Sequence, residues 1–106
     1  MYGYSQESSV GNGAVILTYP DPPINLVETV SERSASSISF TWSNGVADGG
    51  TPVLDYRITY DQSTGDYVIL SSGVHSTSFT AIGLKTGNTY KFRVESRNKF
   101  GYSGYS

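Results

Sequence analysis

The stretch TSFTAIGLKTGNTYKFRVESRNKFG, from Thr77 to Gly101, decides how the whole chain is read. Its middle, TYKFRV, alternates large apolar with polar residues, so Tyr90, Phe92 and Val94 fall on one face of an extended strand. KTGN, Lys85 to Asn88, is a turn cluster in front of that strand, and Ser78 to Ala81 is a weaker strand before the turn. The period is two throughout, not the 3.6 of a helix.

Working outward, SISFTW puts Ile38, Phe40 and Trp42 on one face, and DYRITY does the same with Tyr56, Ile58 and Tyr60. Turn clusters separate them: SNGVADGGTP from Ser43 to Pro52 and DQSTGD from Asp61 to Asp66. Weaker strands are read at Asn25 to Thr29 and Tyr67 to Ser71, and no segment has the pattern of an amphipathic helix. Short strands at intervals of roughly 8 to 12 residues predict an all-β antiparallel sandwich.

The 106 residues suit one such domain. A formal net charge of −2 gives no basic field to collect phosphates, which argues against nucleic acid or an anionic membrane as partner. There is no cysteine, hence no disulfide framework and no thiolate metal site. No apolar run approaches the length of a spanning helix, and the first residues, MYGYSQESS, have neither the basic start nor the apolar core of a secretion signal.

Reactive chemistry is sparse. His75 is the single histidine and reads as a surface loop residue, since a metal site or nucleophile pair would otherwise rest on carboxylates alone. Asp48, Asp61 and Asp66 lie in turns, where aspartate caps its own backbone. GVADGG and GNG lack the lysine and helix of phosphate loops. No catalytic residue, metal or cofactor is expected, and the chain is read as a non-enzyme.

PDPPINL (Pro20 to Leu26), the strand ending in Trp42, GGTPVLDYRITY (Gly49 to Tyr60) and the opening stretch together resemble a fibronectin type III domain over about residues 20 to 103. The resemblance implies a core tryptophan at Trp42 on strand B, Tyr56 of strand C beside it, Leu84 closing the turn between strands E and F, and a tyrosine corner at Tyr90. It also gives Asn98 and Gly101 the loop after strand F. Thr86 stands where that family usually has proline, and Ala81 where it has a bulkier side chain.

The two ends of the chain repeat one another. Tyr2-Gly3-Tyr4-Ser5 aligns without gaps on Phe100-Gly101-Tyr102-Ser103, and Ser8 on Ser106, an offset of 98 residues. That is a domain-sized period. The resemblance calls for a seventh strand, G, after strand F, and on this reading it is missing at the C-terminus. A β-prone run, Val15, Ile16 and Leu17, precedes the fold instead. Residues 1–18 are therefore read as strand G of a preceding repeat, 19–23 as a Pro-rich linker, and 24–106 as a fibronectin type III domain lacking its own strand G. The linker reaches at most ~17 Å, against roughly 26 Å for a strand of about eight residues, so the front strand is expected to complete the sheet of a neighbouring copy. Such head-to-tail contacts build filaments.

Exposed tyrosines are frequent anchors in binding loops, and Tyr102 and Tyr105 mark a candidate loop from Asn98 to Ser106, with a second loop at Asn44 to Pro52; the preferred reading of these rings is packing on their own sheet edge or against the next repeat. The chain has no Arg-Gly-Asp, no Trp-Ser-x-Trp-Ser and no Asn-x-Ser/Thr. The expected function is a structural repeat of an extracellular fibre or surface adhesin, its partners other copies or adjacent repeats. The alternative is a loop-based protein- or glycan-binding module. An accessory domain of a secreted carbohydrate-active enzyme fits the fold without specific support.

Overall fold

The structure, a computed structural model, describes residues 17–106. Seven strands follow in order: β1 (Ile24–Glu28), β2 (Ile38–Ser43), β3 (Asp55–Asp61), β4 (Tyr67–Val74), β5 (Ser78–Ala81), β6 (Lys91–Asn98) and β7 (Gly101–Tyr102). They form two antiparallel sheets, β1-β2-β5 and β4-β3-β6-β7. The alternating residues do what their period requires. Phe40 and Trp42 of one sheet meet Tyr56, Ile58 and Val94 of the other, all buried, with Leu26, Ile38, Leu70, Phe79 and Phe92 packed around them.

Trp42 is 4% exposed, and its ring meets that of Tyr56 edge-on at 5.3 Å between centroids, a favoured aromatic geometry. Tyr90 accepts the Lys85 N–H on its phenol oxygen at 2.8 Å, which pins the turn before β6. Leu84 is half-buried and its N–H donates to Ser36 O, tying that turn to the loop between β1 and β2.

Three expectations need correction. The tail after β6 is not a free loop: Gly101–Tyr102 pair with Arg97 and Asn98 as β7, so the chain supplies the start of its own strand G. Two residues, one of them glycine, carry no apolar alternation, which is why this strand is silent in the sequence. Residues 19–23 are not a free spacer either, because Pro20 and Pro23 are buried against the domain. β4 runs to Val74 rather than Ser71, and its register against β3 shifts twice, so its side chains do not keep strict alternation. Of the proposed donor strand, Val15 and Ile16 lie outside the described residues, and Leu17 is exposed and belongs to no strand.

Candidate functional site

The outer edge of β6 is where sequence reasoning and structure meet. Asn98, the last residue of β6, is 1% exposed and organises the departure of the chain. Its Oδ1 accepts the Phe100 N–H at 2.9 Å, while its Nδ2 donates to Thr18 O at 2.7 Å and Asp48 O at 2.9 Å. One side chain thus joins strand, loop and incoming segment. Gly101 has φ +139°, and a Cβ there would strike the Tyr19 ring, so glycine is needed for both conformation and space.

Beyond Tyr102 the tail stays on β6 through two serines. Ser103 N–H donates to Ser96 O at 2.7 Å, and the Ser103 hydroxyl accepts the Ser96 N–H at 2.9 Å. Ser106 repeats the pattern on Val94, at 2.9 Å and 3.0 Å. Two residues of β6 are spanned by three of the tail, so each serine oxygen stands where a ladder carbonyl would. The satisfied groups are buried backbone polar atoms, which are costly to leave unpaired.

Over the same strands lies a lattice of rings and guanidinium groups; packing of the tail tyrosines on their own sheet is expected from the sequence, their arginine partners are not. Arg57 caps the Tyr102 ring at 3.8 Å and forms a two-pronged pair with Glu95, its direct cross-strand neighbour, at 2.8 and 3.0 Å. Arg93 lies 3.6 Å from the Tyr67 ring centre and 4.5 Å from that of Tyr105. Arg97 pairs likewise with Asp55 opposite it, at 2.8 and 2.6 Å. These stems and rings cover the outward face, so Asp55, Thr59 and Glu95 are buried although they alternate with the core residues. The Arg97 hydrogen bonds hold the Asp55 carboxyl below the usual carboxylate range, and Glu95 holds the Arg57 guanidinium above its usual value. The available signal was the tail itself: Tyr-Ser-Gly-Tyr-Ser has tyrosine at both aromatic positions of the Trp-Ser-x-Trp-Ser spacing, and Arg57 of β3 and Arg93 and Arg97 of β6 share the outward face.

Tyr102 and Tyr105 are therefore packed on their own sheet, with Tyr105 still 51% exposed. Asp48 and Asp61 cap their turns, Asp61 through the N–H groups of Thr64 and Gly65. Those backbone donors, Thr64 first, hold the Asp61 carboxyl below its usual range. His75 is exposed, with Nδ1 3.3 Å from Leu54 O. No group of three or more His, Cys, Asp or Glu that could hold a metal is found among the described residues.

Below Val94 the tail ends its cover. There a cleft of about 170 Å³ opens between β1 and β6, lined by Leu26, Ile38, Phe40, Tyr90 and Phe92 with Glu28 at its rim. Among the described residues no strand lies on β6 at this level.

A two-sheet antiparallel sandwich of this topology, with its hydrogen-bonded turn before β6, is a domain of the immunoglobulin-like class. The fibronectin type III domain model matches residues 21–106, and the chain belongs to that family. It is 31% identical over 93 residues to protein sidekick-1 of Mus musculus, covering 86% of this chain and 4% of that protein. It is 36% identical over 76 residues to Ephrin type-A receptor 3 of Danio rerio, covering 69% and 7%. The solved domains A168–A170 of titin superpose with a TM-score of 0.76 at 30% identity, over 83% of this chain and 30% of that one. The chain thus spans a small part of the relatives it matches.

Proposed function

We propose that this domain is a structural repeat of an extracellular fibre or surface adhesin, joined head to tail to adjacent repeats, with a strand from residues 1–18 of one unit completing the sheet of the unit before it. The observation that carries the reading is the half-covered edge of β6. The tail from Gly101 to Ser106 occupies its upper part, and the apolar cleft between β1 and β6 continues below along the same line. An unpaired strand edge beside apolar pockets is the condition for strand addition. The 98-residue offset supplies the occupant, because residues 2–8 correspond to the tail already laid on β6 and residues 9–18 are the sequence that follows them. The small share of each relative that the chain spans supports a place within a longer multidomain protein, and a receptor among them supports the cell surface.

The test is a peptide of residues 9–18 added to the chain. Binding to the folded state raises the melting temperature with the logarithm of peptide concentration, and Phe92→Asp, at the cleft wall, abolishes the rise. A melting temperature that stays constant up to the solubility limit of the peptide refutes strand completion.

A further inference from the structure

We propose that the pole at which the chain comes in is a docking face for the opposite pole of the preceding repeat, so that consecutive units hold one fixed orientation; this rests on the head-to-tail reading above. Two observations meet there, and a third lies at the opposite pole. The incoming segment is clamped: Thr18 N–H donates to Gly49 O at 2.9 Å, Asp21 N–H to Ala47 O at 2.9 Å, and Asp21 Oδ2 accepts the Ala47 N–H at 3.1 Å. Asn98 holds Thr18 O from the other side. A preceding unit attached at Leu17 therefore sits directly over this pole, with no free spacer between.

The same pole exposes apolar side chains that its own fold covers only in part. Val46, at the tip of the clamped loop, is 96% exposed, and Leu17, Tyr19 and Phe100 are each at least 41% exposed. Tyr19 lies against Gly101, next to Phe100, and Gly45, beside Val46, is wedged against Asp21 and Pro22, which places the four around one rim. Grouped exposed apolar residues on rigid backbone mark contact surfaces.

The opposite pole offers a receiving shape. Between the loop after β1 and the turn before β6 lies a hollow of about 360 Å³, with Ala35, Ile38, Leu84 and Tyr90 in its lining among polar residues that include Arg33 and Lys85. It is at the end of the sandwich where β6 begins, which is also where a strand continuing the tail along β6 would arrive. A protruding valine and an open hollow at opposite ends form a head-to-tail pair that repeats without closing.

The experiment uses a chain of two periods, residues 1–106 followed directly by 9–106, which preserves the 98-residue spacing. Amide ¹⁵N relaxation is measured for each module, together with its melting temperature. Docking predicts one shared rotational correlation time. Val46→Glu in the second module, or Ala35→Trp in the first, is expected to split it into two shorter ones while both modules stay folded. Independent tumbling of the unmutated modules overturns the docking proposal, as does a shared correlation time that survives both substitutions. Independent tumbling with a raised melting temperature of the first module leaves the tandem reading intact. Independent tumbling with no rise refutes both.

Discussion

Trp42 and Tyr56 show how much one contact decides at the level of single residues. Each is nearly fully buried, and the pair bridges the two sheets. Trp42→Ala removes the largest side chain of the core, with an expected loss of about 3 to 5 kcal/mol in chemical denaturation. The carboxylates act through protons. Asp55 and Asp61 both have folded-state pKa values below the ordinary one. Their contribution is therefore present above the unfolded value of about 4 and is lost as pH falls through the lower folded values. Urea denaturation between pH 7 and pH 2 is expected to show that loss below about pH 4, and Asp61→Asn should flatten part of it. A variant whose acid limb matches the parent's would show that Asp61 does not contribute.

At the level of elements, the tail is the informative case. Ser103 is buried and its hydroxyl serves the fully buried Ser96 N–H. Ser103→Ala leaves that donor unpaired, for an expected cost of about 1 to 3 kcal/mol, and hydrogen exchange at Ser96 should accelerate more than at Ile58. The apolar faces of β2, β3 and β6 were legible because Phe40, Ile58 and Val94 keep strict alternation against one core. The tail was not, because its pairing uses hydroxyl groups and glycine conformations rather than apolar periodicity. Nor was the cover over Asp55 and Glu95, since alternation assigns them to an outward face but does not say whether arginine and tyrosine will lie across it. The extent of β4 escaped because its two register shifts break the period on which strand reading depends.

For the whole molecule, the incoming segment and the sandwich are one body. Gly49 has φ +83°, and a Cβ there would overlap Thr18 O and Tyr19 O. Gly49→Ala is therefore expected to lose about 1 to 3 kcal/mol from backbone strain and to free residues 17–21 from the loop, which faster hydrogen exchange at the Thr18 and Asp21 amides would register. Unchanged exchange at those two amides would mean that the clamp tolerates the change. Sequence reasoning placed the change from linker to domain at Ile24, because prolines in a row read as a spacer. Pro20 and Pro23 are buried, and their neighbours Tyr19, Asp21 and Pro22 lie against Gly45 and Gly49 of a loop distant in sequence.

The fork of Asn98 also determines where tension would travel. If the molecule is pulled by its incoming segment, the force reaches Thr18 O and passes through Asn98 Nδ2 straight into β6, the strand that also holds the tail. β1, which the chain enters only at Ile24, is shielded until that bond, the Thr18–Gly49 bond and the paired Asp21–Ala47 bonds part. The first rupture under stretch is then the release of a short slack segment with the sandwich still closed. In a row of such units each joint would yield a little before any domain is unravelled.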